Sequence, residues 1–76
     1  MGMLYIVDKF YGDKRLVWRG DDKESKNKAV EEFKERLDRG WLAFKVDPDI
    51  PSKGTMIKEF DETAGKIVMT PPVAGG

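Results

Sequence analysis

A single segment of the chain, from about Asp22 to Arg39, has the length and periodicity of an α-helix. Its apolar residues recur at helical spacing and form one stripe, made of Ala29, Val30, Phe33 and Leu37. A chain of 76 residues is one domain with room for only a small core. The helix must therefore bury its stripe against the other segments of the same domain. The structure of those segments decides the fold.

Residues that favour helix ends flank this segment. Asp21 followed by Glu24 has the spacing of a capping box, with Asp in the Ser/Thr role. Asp22 and Ser25 are alternative caps. Gly40 follows the last helical residues and is a natural C′ residue, because glycine readily adopts the left-handed conformation that ends a helix.

The remaining apolar segments have the composition of β-strands. They are Met3 to Phe10, Arg15 to Arg19, Trp41 to Val46, Thr55 to Phe60 and Lys66 to Thr70. The first and last are apolar without alternation, which is typical of strands in the middle of a sheet. The third alternates, with Leu42, Phe44 and Val46 on one face and Trp41, Ala43 and Lys45 on the other. The short link between the first two strands predicts an antiparallel hairpin.

The order β-β-α-β-β-β predicts an α+β fold with one helix on one face of a mixed sheet. In a β-grasp layout, the first and last strands pair in parallel at the centre of that sheet. A ferredoxin-like fold is the main rival, but it needs a second helix. The segments Asp47–Gly54 and Asp61–Gly65 are too short or too rich in proline to supply one. We predict a β-grasp domain over residues 1–70 and a flexible tail over residues 71–76.

Composition excludes several classes of function. There is no cysteine for a disulfide or a thiolate, and no histidine as metal ligand or general base. The 14 basic and 14 acidic side chains cancel, which argues against a nucleic-acid partner. No apolar run is long enough to span a membrane, and no signal peptide is visible. We expect a soluble cytoplasmic protein with no nucleic-acid or membrane partner.

The last six residues, Pro71-Pro72-Val73-Ala74-Gly75-Gly76, carry no charged side chain. The two prolines stiffen the exit from the last strand, because proline fixes φ and cannot donate a backbone hydrogen bond. The two glycines have no Cβ and allow a partner's backbone to approach closely. This pattern suits a tail that enters another protein's active site. The alternative is a frayed chain end with small residues.

The segment Lys66 to Gly76 resembles the C-terminal end of the small ubiquitin-like sulfur carriers. In these proteins an apolar final strand runs into a Pro-Pro-Val-small-Gly-Gly end. The family includes the small subunit of molybdopterin synthase, the sulfur carrier of the thiamine pathway and their archaeal protein-modifier relatives. The match in the tail is short and specific, and the order of elements extends the resemblance over the whole chain.

The resemblance implies a mechanism centred on the carboxylate of Gly76. A partner activating enzyme uses ATP to adenylate this carboxylate, and a narrow channel in that enzyme accepts Gly75 and Gly76. A sulfur donor then gives a thiocarboxylate, or a lysine of a target protein gives an isopeptide bond. The partners are the adenylating enzyme and either a sulfur-acceptor enzyme or target lysines. The chain itself is then a substrate, not an enzyme, and binds no cofactor or metal.

The resemblance also implies a partner surface on the sheet face away from the helix, beside the tail. Its candidates are one parity of the first strand, the exposed side of Thr55–Phe60, Trp41, Val68 and Thr70, and Pro71 to Ala74 position the tail. Tryptophan is favoured at interfaces, but in so small a domain Trp18 is better placed in the core, and Trp41 fits either role. The alternative function is a β-grasp interaction module whose Gly-Gly tail is incidental.

Overall fold

The computed structural model describes residues 1–8, 12–46 and 54–72, which contain one helix and five strands. In chain order these are β1 (Gly2–Ile6), β2 (Lys14–Trp18), α1 (Lys23–Asp38), β3 (Leu42–Val46), β4 (Gly54–Ile57) and β5 (Lys66–Thr70). The predicted order β-β-α-β-β-β is confirmed, and the fold is α+β. The predicted loop after β3 lies, except for Gly54, outside the described residues, as does the predicted end of the first strand at Phe10.

The five strands form one mixed sheet with the order β2-β1-β5-β3-β4. β1 and β5 pair in parallel, with Leu4 opposite Ile67, and both are inner strands as predicted. The other three pairings are antiparallel, including the predicted hairpin of β1 and β2. This arrangement is compatible with a β-grasp.

The helix begins one residue later than a capping box at Asp21 requires, so that interpretation is wrong. Asp22 is the N-cap, and its Oδ1 accepts the N–H groups of Glu24 and Ser25 at 3.1 and 3.4 Å. The reason is a tight turn before the helix, closed by the Asp22 N–H, which donates to the carbonyl of Arg19 at 3.2 Å. That turn leaves Asp22 in an extended conformation, from which a side chain can reach the first free N–H groups.

The C-terminal end of α1 follows the prediction. Gly40 has φ +92° and donates its N–H to the carbonyl of Leu37 at 3.0 Å. The N–H of Trp41 donates to the carbonyl of Arg36 at 3.0 Å. These two bonds are the pair that defines a Schellman motif, and they turn the chain sharply from α1 into β3.

The core lies between α1 and one face of the sheet. Its buried members are Leu4, Ile6, Trp18, Ala29, Phe33, Ala43, Ile67 and Met69. Phe60 packs edge-to-face on Trp18 and Phe33, with ring centroids 4.9 and 5.6 Å apart. Trp18 is only 1% exposed, which confirms its predicted place in the core.

The predicted fourth strand is too long. β4 ends at Ile57, whereas the sequence suggested a strand as far as Phe60. Lys58 and Glu59 are exposed, and the chain leaves the sheet edge there so that Phe60 can turn inward and join the core. Burial of an aromatic ring under the helix outweighs continuation of an edge strand.

Candidate functional site

The predicted tail begins at the end of an inner strand. β5 lies between β1 and β3, and Thr70 pairs with Leu42 of β3. On the other side, the N–H of Val7 donates to the carbonyl of Met69 at 3.0 Å. Because both neighbouring strands hold the end of β5, Pro71 leaves the sheet from a fixed position.

The stem of the tail passes the C-terminal end of α1. Pro71 is half-buried and Pro72 is exposed. The Cβ atom of Pro72 lies 3.7 Å from the position that a Cβ atom on Gly40 would occupy. Glycine is required at position 40 by the positive φ of the Schellman motif, and Pro72 lies within ordinary van der Waals distance of that position. The other tail residues, Val73, Ala74, Gly75 and Gly76, lie outside the described residues.

The sheet face away from α1, here called the open face, is largely apolar. Strand alternation and register place on it Met3, Tyr5, Val17, Leu42, Phe44, Val46, Met56, Val68 and Thr70. Val17 and Met56 are 50% and 52% exposed. No helix of the described segments covers this face. A face of this composition that remains accessible is typical of a docking surface.

One row of side chains crosses the open face from edge to edge. Tyr5 of β1 pairs with Val68 of β5, and Val68 pairs with Phe44 of β3. Arg15 of β2 and Met56 of β4 extend the row at its two ends. The middle of the row is apolar and aromatic, whereas its β2 end is positively charged.

Tyr5 has a fixed position in this row. Its O–H donates to a carboxylate oxygen of Asp13 at 2.7 Å, and this hydrogen bond raises the pKa of the Tyr5 phenol. The Nζ of Lys66 lies 5.7 Å from the centroid of the Tyr5 ring. The Tyr5 side chain is therefore flanked by a cation and a carboxylate.

The three candidate partner residues do not share one surface. Val68 and Thr70 are on the open face, because the alternate residues Ile67 and Met69 are buried beneath α1. Trp41 lies on the helix side, where it packs against the core. Trp41 directly follows Gly40, the residue beside which Pro72 passes.

Trp41 is held from the helix side. The guanidinium of Arg36 lies over the indole ring, 4.5 Å from its centroid, and also donates from Nε to Glu32 at 3.0 Å. An arginine stacked on an indole and paired with a carboxylate fixes both side chains. This cluster lies at the C-terminal half of α1, on the helix side of the sheet.

The open face contains residues that the sequence did not single out. These are Val17 and Phe44, whereas Tyr5 and Met56 belong to the first and fourth strands, whose exposed sides the sequence did propose. Val17 and Met56 are the exposed large apolar side chains of this face. The alternation in the third strand was visible, but it did not indicate which set faces the helix. Cross-strand register was the missing information, since only the pairing of β3 with β5 sets Phe44 beside Val68.

The described residues contain no group of three or more acidic side chains that could hold a metal ion. They also contain no buried polar or charged side chain. α1, the one helix among them, is not long and apolar enough to cross a membrane.

Comparison with known proteins adds no relative. No protein-family model matches the chain, and neither the curated proteins nor the solved structures give a significant match. The fold, the exit of the tail from β5 and the open face are therefore the basis for any statement about function.

Proposed function

We propose that the chain is a ubiquitin-like β-grasp carrier or modifier that acts through the carboxylate of Gly76. In the first step this carboxylate attacks the α-phosphorus of ATP in a partner enzyme, and pyrophosphate leaves. In the second step a nucleophile attacks the acyl-adenylate carbonyl, and AMP leaves. A sulfur nucleophile leads to a thiocarboxylate on the carrier, and a lysine amine gives an isopeptide bond.

The geometry of the tail exit is the observation that carries this proposal. The stem follows an inner strand that is paired on both sides, and Pro72 packs beside Gly40. A tail with a fixed origin and a stiff first step loses little additional entropy on entering a channel. The open face supplies apolar area next to that origin, through Thr70 and its neighbour Leu42. Both features suit a protein that a partner enzyme holds by its body while acting on its end.

Activation can be tested with purified protein that ends at Gly76 and with the adenylating enzymes encoded in the source organism. We expect ATP–pyrophosphate exchange with the intact chain and none after deletion of Gly76. Gly75→Ala should abolish exchange as well, because a methyl group obstructs a narrow channel. The matched control is Gly20→Ala, since a Cβ at Gly20 meets no atom within 4 Å. Exchange that survives deletion of Gly76 contradicts the proposal.

Mass spectrometry of protein from the native host separates the two chemical outcomes. Replacement of one carboxylate oxygen by sulfur indicates a carrier. Covalent attachment of the chain to lysines of other proteins indicates a modifier. Protein that carries neither change, under conditions in which the adenylating enzyme is present, contradicts both.

The extent of the open face favours a second candidate, a β-grasp interaction module with an incidental tail. This module binds a partner through Tyr5, Val68 and Phe44, and the tail takes no part. Deletion of Gly75 and Gly76 distinguishes the two functions. The module keeps its partner after this deletion, whereas the carrier loses its activation.

A further inference from the structure

We propose that β4 is a docking edge for an extended segment of another protein, which adds a sixth strand beside it and places an apolar side chain in the adjacent groove. The proposed segment carries at least one acidic residue. The site lies on the helix side of the β4 edge and borders the open face at Leu42 and Met56, which line both surfaces. The proposal does not depend on activation of Gly76.

The first argument is the state of the two sheet edges. β2 and β4 are the edge strands, and along each the alternate N–H and C=O groups point outward. β2 carries Lys14 and Arg15, and charged side chains discourage a further strand. β4, Gly-Thr-Met-Ile, has neither charge nor proline. No strand in the described part of the chain pairs with its outer side, so it is the less protected edge.

The second argument is a groove beside β4. It has a volume of about 300 Å³ and is lined mainly by Leu37, Trp41, Ala43, Met56, Ile57 and Lys58. α1 contacts β2, and the groove lies toward the opposite edge of the sheet. Its volume suits one large aliphatic or aromatic side chain of an added strand.

The register shows how such a side chain reaches the groove. Ile57 pairs with Ala43, which is buried on the helix side, so Ile57 also faces that side. In an added strand, the residue opposite Ile57 points to the same side of the sheet. It therefore enters the groove next to Ile57, whereas its chain neighbours point to the open face.

The third argument is charge. A second cavity of about 590 Å³ shares Lys58 with the groove and includes Val30 and Phe60 as well as Lys34. Lys26 at its border pairs with Glu62 at 2.5 Å. Lys34 and Lys58 form no ion pair with any described residue, and Glu59 is the one carboxylate in the lining of this cavity without an ion pair. The unpaired charge is positive, which favours an acidic ligand.

These features together select the occupant. A free strand edge binds only an extended backbone, because that backbone presents N–H and C=O groups at matching spacing. The groove adds selection for an apolar side chain, and the lysines add selection for a carboxylate. A flat second copy of this chain fits less well, since its own β4 brings no acidic residue.

The test uses the full chain labelled with ¹⁵N and a short synthetic peptide with two isoleucines at alternate positions, flanked by glutamates. We expect binding with a micromolar dissociation constant and amide shift changes over Gly54–Ile57 and at the Trp41 indole. A peptide with lysines in place of the glutamates should bind at least about fivefold more weakly. A peptide with proline between the isoleucines should not bind, because proline removes a donor and disrupts an added strand.

Reversal of lysine charges on the protein gives a test variant and a control variant. Lys34→Glu combined with Lys58→Glu should weaken binding of the glutamate peptide about fivefold to tenfold. Lys28→Glu is the control, because Lys28 is exposed on α1 outside both cavities. It should change the dissociation constant less than about twofold.

Three results overturn the proposal. The first is no peptide binding up to millimolar concentration. The second is shift changes confined to the open face, for example at Tyr5 and Val68, or to β2. The third is equal weakening by the charge-reversed pair and by Lys28→Glu. A chain that lacks Gly75 and Gly76 should bind the peptide unchanged, so this test and the test of activation can fail independently.

Discussion

Gly2 occupies a position in β1 where only glycine fits. A Cβ atom there would lie 2.1 Å from the Trp18 ring, which is buried beside it. We predict that Gly2→Ala lowers the free energy of unfolding by about 1–3 kcal/mol, because the ring must move within a packed core. Urea denaturation measures the change. Gly20→Ala is the matched control and should shift stability by less than about 0.5 kcal/mol. Equal effects of the two substitutions would contradict this interpretation of Gly2.

Asp61 gives a residue-scale prediction about pH. The hydroxyl of Thr63 donates to the Asp61 carboxylate, and the Thr63 N–H donates to the same oxygen at 3.0 Å. These bonds, with Lys45 at 3.4 Å, hold the pKa of Asp61 below its ordinary value. The stabilisation is therefore present above the pKa of the unfolded chain and is lost as the pH falls through the lower, folded value.

Removal of the Thr63 hydroxyl tests the cause. We predict that Thr63→Val raises the pKa of Asp61 toward its ordinary value and removes part of the acid-dependent loss of stability. Titration of the Asp61 carboxyl carbon by NMR measures the pKa directly. Thr70→Val makes the same chemical change on the open face, where Thr70 pairs with Leu42, and should leave the titration of Asp61 unchanged. If Thr63→Val also leaves it unchanged, the hydroxyl is not the cause.

At the scale of the element, the start of α1 distinguishes two adjacent aspartates. Asp22 caps the helix, whereas Asp21 does not. We predict that Asp22→Ala lowers the free energy of unfolding by about 0.5–2 kcal/mol. Asp21→Ala removes the same charge one residue away and should cost less than about 0.5 kcal/mol. Chemical denaturation of both variants decides the matter, and a larger effect at Asp21 would restore the capping-box interpretation.

The helix and strands differ in how well their ends could be predicted. α1 was placed to within one residue at each end, because an apolar stripe and Gly40 act locally. The end of β4 depends on Phe60, which leaves the strand to pack on Trp18 and Phe33. The end of β4 thus depends on contacts with residues that are distant in the sequence, and local strand propensity did not reveal it.

Face assignment also required tertiary contacts. In β3 the larger apolar set, with Phe44, turns to the open face, and Ala43 turns to the core. Burial preference alone would place the larger side chains inward. The small side chain of Ala43 suits close packing beneath α1, and the register with β5 fixes the rest. The register of β5 with β3 likewise places Val68 and Thr70 on the open face, whereas Trp41 packs against the core on the helix side.

On the scale of the whole molecule, the sheet is apolar on both sides, and α1 is the one helix in the described residues that covers it. The sequence predicted the apolar character of both sides, because the first and last strands are apolar without alternation. It did not show which side is open, or that a groove remains on the helix side beside β4. The described part of the molecule therefore presents two apolar surfaces, the open face and the β4 groove, which adjoin at Leu42 and Met56. Their charged residues differ, since the open face carries Arg15 beside Tyr5, whereas Lys58 lines the groove and Lys34 lines the neighbouring cavity.

The position of the tail divides the open face into a near end and a far end. Thr70 is the last residue of β5 and lies at the near end, one residue before the stem. Val17 lies at the far end, beside Met3 and Lys66. An enzyme that holds the body while acting on Gly76 has to cover the near end first. The two positions therefore make a matched pair on one surface.

We predict that Thr70→Glu raises the KM for the carrier in ATP–pyrophosphate exchange about tenfold, because it sets an unpaired charge into the desolvated contact. The kcat should stay within about twofold, since Gly76 is unaltered. Val17→Glu adds the same charge at the far end and should change KM less than about threefold. Unfolding midpoints of both variants confirm that the fold is retained. If both substitutions raise KM equally, the enzyme covers the whole open face, and if neither does, it holds the body elsewhere.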